Sequence, residues 1–294
     1  MEFFSSFFSR SLTTAWSFAC QGTLWRLLLG DRGSMVGECR DQEKKETVFF
    51  CLQGETGALT WVHTRPEERW WIGLEAVCRN RVLLHGFETP DLPGHKRLIA
   101  LDLESGTEMW RNDEVTFWFA YQSRVYAYRT MFEKRVGQVL DLETGELLET
   151  HEGIEHLATL RGLARQEDPQ ASIDFPEMLE PARATPEFRP LIEREIRNHR
   201  LVGAIEAVVR DPFLVMNYHR LSKGSTPEEP RLENHLLIFD SGSGKKVYSD
   251  ILIHDAHAPV PDAFFVKDSS VFFIKDQKIL CMVRLPQTAE GPPR

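Results

Sequence analysis

The sequence predicts an all-β chain folded as a β-propeller of about six four-stranded blades, with five or seven open, and one short helical insertion. Three observations carry that expectation: one strand-turn-strand corner recurs along the chain, its copies lie at blade-like intervals, and short alternating runs fill the spaces between. The clearest corner is Leu98–Arg111, LIALDLESGTEMWR, in which Leu101 and Leu103 alternate on a strand, Glu104-Ser105-Gly106 turns, and a second strand ends at Trp110. A glycine closing a three-residue turn supplies the positive φ of a bulged hairpin, and Asp102 can accept hydrogen bonds from the turn amides ahead of it.

Aligned on the turn glycine, the copies are CLQGETGALTW (Cys51–Trp61), ALDLESGTEMW (Ala100–Trp110), VLDLETGELLE (Val139–Glu149) and IFDSGSGKKVY (Ile238–Tyr248). The turn glycines, Gly57, Gly106, Gly145 and Gly244, stand 49, 39 and 99 residues apart. The last interval is about two periods of the ~40–50 residues of a blade, so one blade there is expected to lack the signature. Gly57, Trp61, Asp102, Gly106, Trp110, Asp141, Gly145, Asp240 and Gly244 are the expected structural repeat positions.

The pattern A-x-D-x-x-[ST]-G-x-x-x-W, complete at Ala100–Trp110, resembles the repeat of the PQQ-like, quinoprotein-type β-propellers. The resemblance implies a tryptophan docked into the neighbouring blade, kept at Trp61 and Trp110 and replaced by Glu149 and Tyr248. The run Arg69–Arg111 also resembles a group of uncharacterised bacterial propeller proteins, which implies fold and no activity.

In chain order, residues 1–13 read as a tail, 14–286 as one propeller domain, and 287–294 as a second tail. Ala15–Leu29 holds two strand-like runs parted at Gln21-Gly22, the first of which, Trp16–Cys20, is expected to close the ring on the last blade, Ala263–Leu285. The first blade runs from Leu24 to Trp61, with Arg40–Glu46 as a solvated hairpin tip. The second uses Trp70–Cys78, Val82–Phe87, Leu98–Leu103 and Thr107–Arg111, and the two prolines of Thr89–Lys96 exclude regular pairing there. Val115–Thr150 forms a compact third blade. His156–Ala164 reads as the innermost strand of an irregular fourth, whose insertion spans about 165–200. Thr185–Arg200 reads as a helix capped by Thr185, with Pro186 in its first turn and Phe188, Leu191, Ile192 and Ile196 on one face. That face is expected to pack on the ring edge, a partner-binding helix being the alternative. Gly203–Leu252 is the fifth blade, with a polar loop at Ser222–Glu233.

Forty-four acidic against 35 basic residues give a net charge of −9, which argues against a nucleic-acid partner. No stretch reaches the ~18 apolar residues of a membrane span. The five cysteines, Cys20, Cys39, Cys51, Cys78 and Cys281, include no C-x-x-C pair and read as reduced thiols of a monomeric cytoplasmic protein. Lipoprotein export through Cys20 is the alternative, disfavoured because Glu2 precedes the aromatics, Arg10 follows them, and no continuous apolar region forms.

No catalytic motif is present: Gly242-Ser243-Gly244-Lys245 lacks the first glycine and the Ser or Thr of a phosphate loop, and there is no nucleophile elbow or H-E-x-x-H. The resemblance raises a quinone cofactor, but it also implies larger eight-bladed rings with a vicinal cysteine pair, and no two cysteines here are adjacent, so the reading assigns no cofactor and no metal. His254-Asp255-Ala256-His257 offers two imidazoles without a third ligand. Trp71 and Glu75, on one face of their strand, would make an aromatic and carboxylate wall for a sugar or cationic ligand, with His85 less able to reach. The expected ligand site is therefore Trp71, Glu75, His254 and His257, set in a non-enzymatic platform for an unknown protein or small molecule. The alternatives are a hydrolase or lyase with carboxylates and histidines at the central channel, and an exported outer-membrane assembly scaffold.

Overall fold

The computed structural model describes residues 11–65, 67–89, 92–131, 134–226 and 229–286. The tail expectations for residues 1–10 and 287–294, and the signal-peptide argument on Glu2 and Arg10, lie outside them. The fold is all-β and of the propeller type, the described residues forming five antiparallel sheets, four of four strands and one of five, with a short helical insertion. The chain divides into two compact units, Cys20–Ser172, and the N-terminal segment to Ala19 together with Ile173 onward.

Strand β1 (Thr14–Ala19) belongs to the second unit. The first unit holds three meanders. The first is β2 (Thr23–Leu29), β3 (Ser34–Asp41), β4 (Glu46–Gln53) and β5 (Leu59–Thr64), and the second is β6 (Ile72–Cys78), β7 (Arg81–Thr89), β8 (Leu92–Asp102) and β9 (Glu108–Asn112). The third is β10 (Thr116–Tyr121), β11 (Arg124–Met131), β12 (Lys134–Asp141) and β13 (Leu147–His151). The alternation that marks these strands places Phe49, Leu74, Leu84, Ile99 and Leu101 in one buried cluster and Leu83, Leu98, Val125 and Leu140 in the next.

Trp61 and Trp110 tie consecutive meanders. Trp61 Nε1 donates to the Leu103 carbonyl at 2.8 Å and Trp110 Nε1 to the Leu142 carbonyl at 3.0 Å. Each ring lies on the turn glycine of the following meander: a Cβ on Gly106 would stand 2.7 Å from Trp61, and one on Gly145 2.6 Å from Trp110. These glycines also hold φ of 72° and 75°, so position and conformation both demand the missing side chain.

Two local expectations are corrected here. Arg40 is buried inside β3, and the exposed tip is confined to residues 42–45. The Thr89–Lys96 segment pairs after all, with Thr89 opposite Leu92 and Phe87 opposite His95, because bulges at His85/Gly86 and Phe87/Thr89 absorb the irregularity.

His156–Ala164 is not a strand. A 3-10 turn over Glu155–Leu157 leads into helix α1 (Ala158–Gln166), whose Leu160 and Ala164 pack with Leu157 against Phe119, Tyr126 and Val139. Spacings of three and four residues give the segment a helical period.

In the second unit, β14 (Glu177–Leu179), β15 (Leu201–Arg210), β16 (Phe213–Leu221), β17 (Leu232–Asp240) and β18 (Lys245–Ala256) form the five-stranded sheet. Helix α2 (Arg189–Ile196) is shorter than expected, and its start is shifted: the Thr185 carbonyl accepts from the Phe188 and Arg189 amides in a turn before the helix. Phe188, Leu191 and Ile192 are buried on Leu214, Met216 and Leu237 of that sheet. The last sheet is β19 (Phe264–Lys267), β20 (Ser270–Lys275) and β21 (Ile279–Arg284), and β1 completes it along β21 with Trp16 opposite Met282 and Phe18 opposite Leu280. The 99-residue interval thus holds the insertion and β14 to β17 of one five-stranded sheet, so the described residues form five sheets where about six blades are expected.

The cysteine expectation also changes. Cys20 and Cys39 form a disulfide across the start of the first meander, with Cα atoms 6.4 Å apart. Cys51, Cys78 and Cys281 are free, and burial pushes their thiols up to about 11, 12 and 11.

Candidate functional site

Strand β6 is held by its backbone. Arg26, on β2, donates to the carbonyls of Leu74 and Glu75 at 2.7 and 3.0 Å. Arg40 donates to those of Trp70 and Ile72 at 3.1 and 2.7 Å, while Glu38 Oε2 accepts the Leu74 amide at 2.6 Å. Arg40 and Glu38 are themselves a buried ion pair at 2.5 Å, so a salt bridge whose charges would otherwise be costly to bury is spent on unpaired backbone groups. A bulge between Leu74 and Ala76 falls at Glu75 and breaks the simple alternation of the strand.

Glu75, largely buried, meets two imidazoles. Its Oε2 lies 2.8 Å from His85 Nδ1 and 3.0 Å from His95 Nδ1. The His95 contact is a hydrogen bond, whereas Oε2 is off the line of a His85 N–H, and His85 Nδ1 is buried without an aligned partner. The two rings stack with centroids 3.5 Å apart and planes 8° from parallel. Phe87 stands edge-on to both, and the His85 ring fills the space above Gly73, where a Cβ would come within 2.8 Å of it. Burial alone would raise the Glu75 carboxyl, but the contacts with His85 and His95 outweigh it and hold the group down at about 2. Burial pushes the His85 imidazole below its usual value, against the opposing pull of Glu75. The donor atoms of Glu75, His85 and His95 lie within 4.8 Å of one another, a set able to hold a metal ion.

Glu75 also lines a cleft of about 490 Å³ in the same unit, formed by β2, β6, β10 and the segment from α1 to Gln170. Its walls carry four arginines and four carboxylates, with Trp118 and Tyr121 as aromatic surface. The Arg161 guanidinium lies 5.5 Å over the Trp118 ring. The Gln170 amide fastens the cleft's far side to β2, accepting from the Leu29 amide at 3.0 Å and donating to its carbonyl at 2.6 Å.

Of the four residues singled out from sequence, Trp71 and Glu75 belong to this unit. Trp71 precedes β6 instead of lying on it, is 37% exposed, and stands edge-on to Phe87 at 5.9 Å. His254 and His257 are exposed at the end of β18 in the other unit, and Asp255 between them pairs with Arg231. His85, which its place on the second strand argues against, is in contact with Glu75, and His95, which carries no sequence signal, is the third member. The bulge at Glu75 and the bulged β7–β8 hairpin bring these three together, and neither has a periodic signal. Arg26, Arg40 and Glu38 have no sequence signal because their partners are backbone groups about 30 to 50 residues away.

A sequence-family model described as "Domain of unknown function (DUF4905)" matches residues 30–110, a span that contains Glu75, His85 and His95. No curated protein matches the chain. Among solved structures, the chain is similar to the Myceliophteria thermophila Cps50 (Swd1) β-propeller domain, at 11% identity and a TM-score of 0.30, over 96% of this chain and 72% of that one. It is also similar to the RRP9 WD40 repeats, at 8% identity and a TM-score of 0.37, over 94% and 99%. At such scores neither likeness carries an argument about what the chain does. Among the described residues no helix is long and apolar enough to cross a membrane.

Proposed function

We propose that the chain is a binding module, taking a small polar ligand in the cleft of the Cys20–Ser172 unit and serving as a platform instead of a catalyst. The cleft itself carries the reading: about 490 Å³ falls in the range of small-molecule sites, and its mixed charges and aromatic wall suit a polar ligand bearing charge. A carboxyl held at about 2 is a poor general base near neutral pH, which weighs against the hydrolase or lyase alternative built on Glu75. A thermal-shift screen of charged metabolites against the full chain, repeated on Trp118→Ala and Arg161→Ala, tests the reading. Hits whose stabilisation disappears in both variants support it, and hits indifferent to both remove the cleft from consideration.

Export is the second reading, and one observation favours it. Disulfides persist in oxidising compartments, and Cys20 is bonded to Cys39. The same sulfur cannot also carry a lipid thioether, so the disulfide speaks against the lipoprotein route through Cys20. Alkylation of the protein from its native host before reduction decides the matter: a Cys20–Cys39 cross-linked peptide supports export, and two alkylated thiols support a reducing compartment.

A further inference from the structure

The cluster at Glu75 is built differently from an ordinary buried carboxylate. Such a group is usually matched by an arginine or lysine, yet among the described residues its side-chain ion partners are two imidazoles and no guanidinium. Arg26 of β2 reaches this strand, but its guanidinium is turned to the carbonyls of Leu74 and Glu75. His85 is 5% exposed, wedged between Gly73 and Phe87, and its Nδ1 points toward the carboxylate without an aligned hydrogen bond. In the Nε2–H tautomer that nitrogen carries an in-plane lone pair, so the position suits a partner that accepts one.

We infer that Glu75 Oε2, His85 Nδ1 and His95 Nδ1 form a binding site for a borderline divalent transition ion such as zinc, cobalt or nickel. Two imidazoles and one carboxylate are the donor set these ions take, and contacts of 2.8 and 3.0 Å leave the donors a few tenths of an ångström inside the roughly 3.3 Å between two ligands on a tetrahedral ion. The site needs one movement. A ligand nitrogen binds along the lone pair in its ring plane, and two parallel planes 3.5 Å apart cannot both contain the ion. The more exposed ring turns: the His95 side chain is 37% accessible and that of His85 6%. The backbone of His95 stays fixed meanwhile, its carbonyl accepting the Thr116 hydroxyl at 2.8 Å. Each neutral imidazole carries its proton on Nε2 in the bound state, so both Nδ1 atoms are free to ligate. Because Glu75 also lines the cleft, water or a cleft ligand is the natural fourth donor. Metal capture here does not depend on the cleft's taking an organic ligand.

The test uses the untagged full-length chain, stripped of metal by dialysis against chelator and titrated with cobalt(II) chloride, with bound metal counted after gel filtration. One cobalt per chain and a visible d–d band stronger than that of the aqueous ion are expected. His95→Ala and Glu75→Gln, each with an unchanged far-ultraviolet circular dichroism spectrum, should weaken binding by about tenfold or more, as loss of a ligand requires at least what loss of a supporting contact does. His254→Ala should bind as the parent does. Absence of stoichiometric cobalt in the parent chain overturns the site. So does parental affinity in both His95→Ala and Glu75→Gln, or loss of binding in His254→Ala.

Discussion

The two units handle the same repeat corner in different ways. In the Cys20–Ser172 unit, an indole from one meander lies on the turn glycine of the next and donates to a carbonyl beside it, at Trp61 and again at Trp110. In the other unit the corner glycine, Gly244, keeps a φ of 64° but has nothing within 4 Å of where a Cβ would stand. Tyr248 takes the indole's sequence position there. It is buried, packs against Phe273, and its hydroxyl meets Thr14 Oγ1 at 2.9 Å, so it fixes β1 in the last sheet. At the third corner the position is Glu149, exposed and paired with Arg124 and His151. The turn is therefore separable from the interlock. A glycine with positive φ makes the corner, while the interlock needs both an aromatic side chain and a receiving surface shaped for it.

The largest effect that separates the two roles is expected at Trp110. Trp110→Ala should destabilise by about 3–5 kcal/mol through lost burial and a cavity, whereas Glu149→Ala, at the equivalent corner position, should stay within about 0.5 kcal/mol. Equal midpoints for the two variants in urea unfolding would dissolve the distinction.

Glycine replacements sharpen it. Gly145→Ala combines a left-handed backbone cost with a collision against Trp110, about 2–5 kcal/mol together, while Gly244→Ala carries only the backbone cost of about 1–2 kcal/mol. Denaturation of both variants under one condition gives the difference directly.

The covalent staple is also confined to one unit. Its loop of 19 residues should make Cys39→Ser cost about 3 kcal/mol under oxidising conditions, and dithiothreitol should lower the parent's melting temperature without moving that of the variant.

The pH dependence is expected to be smaller and to come from the Glu75 cluster. The folded pKa of about 2 lies below the ordinary value of 4.5, so the stabilisation is complete above pH 4.5 and drains away as pH falls toward 2. Between pH 6 and pH 3 the loss should be about 2 kcal/mol, and Glu75→Gln should flatten that part of the stability profile. The depressed His85 value acts in the same direction, withdrawing stability as pH falls below the ordinary 6.5. A profile of Glu75→Gln that keeps the parental slope over this range would contradict the assignment.

Strands and their pairing were legible because they are local: alternation marks β3, β4 and β11, and the break at Gln21-Gly22 parts β1 from β2. The insertion is ambiguous in sequence where a short segment permits two periods. Leu157, Leu160 and Ala164 satisfy a helix, and only their burial against Phe119 and Tyr126 shows that the helix is chosen. The candidate site was half legible. Glu75 drew attention as a carboxylate beside tryptophans, but its partners depend on a bulge and on a hairpin whose prolines argued against pairing. The disulfide was hidden for a related reason. Nineteen residues separate Cys20 from Cys39, and only the β2–β3 pairing, which sets Leu24 opposite Cys39, brings the two sulfurs together.

The claim that binding belongs to the cleft of the first unit is tested most directly by native mass spectrometry of the chain affinity-purified from its own host. Three forms are compared: the parent, the double variant Trp118→Ala/Arg161→Ala, and Met178→Ser, a change at a side chain 81% exposed on β14 in the other unit. The account predicts a small-molecule adduct on the parent and on Met178→Ser that is missing from the double variant. An adduct that survives the double variant, or one lost only in Met178→Ser, would contradict it.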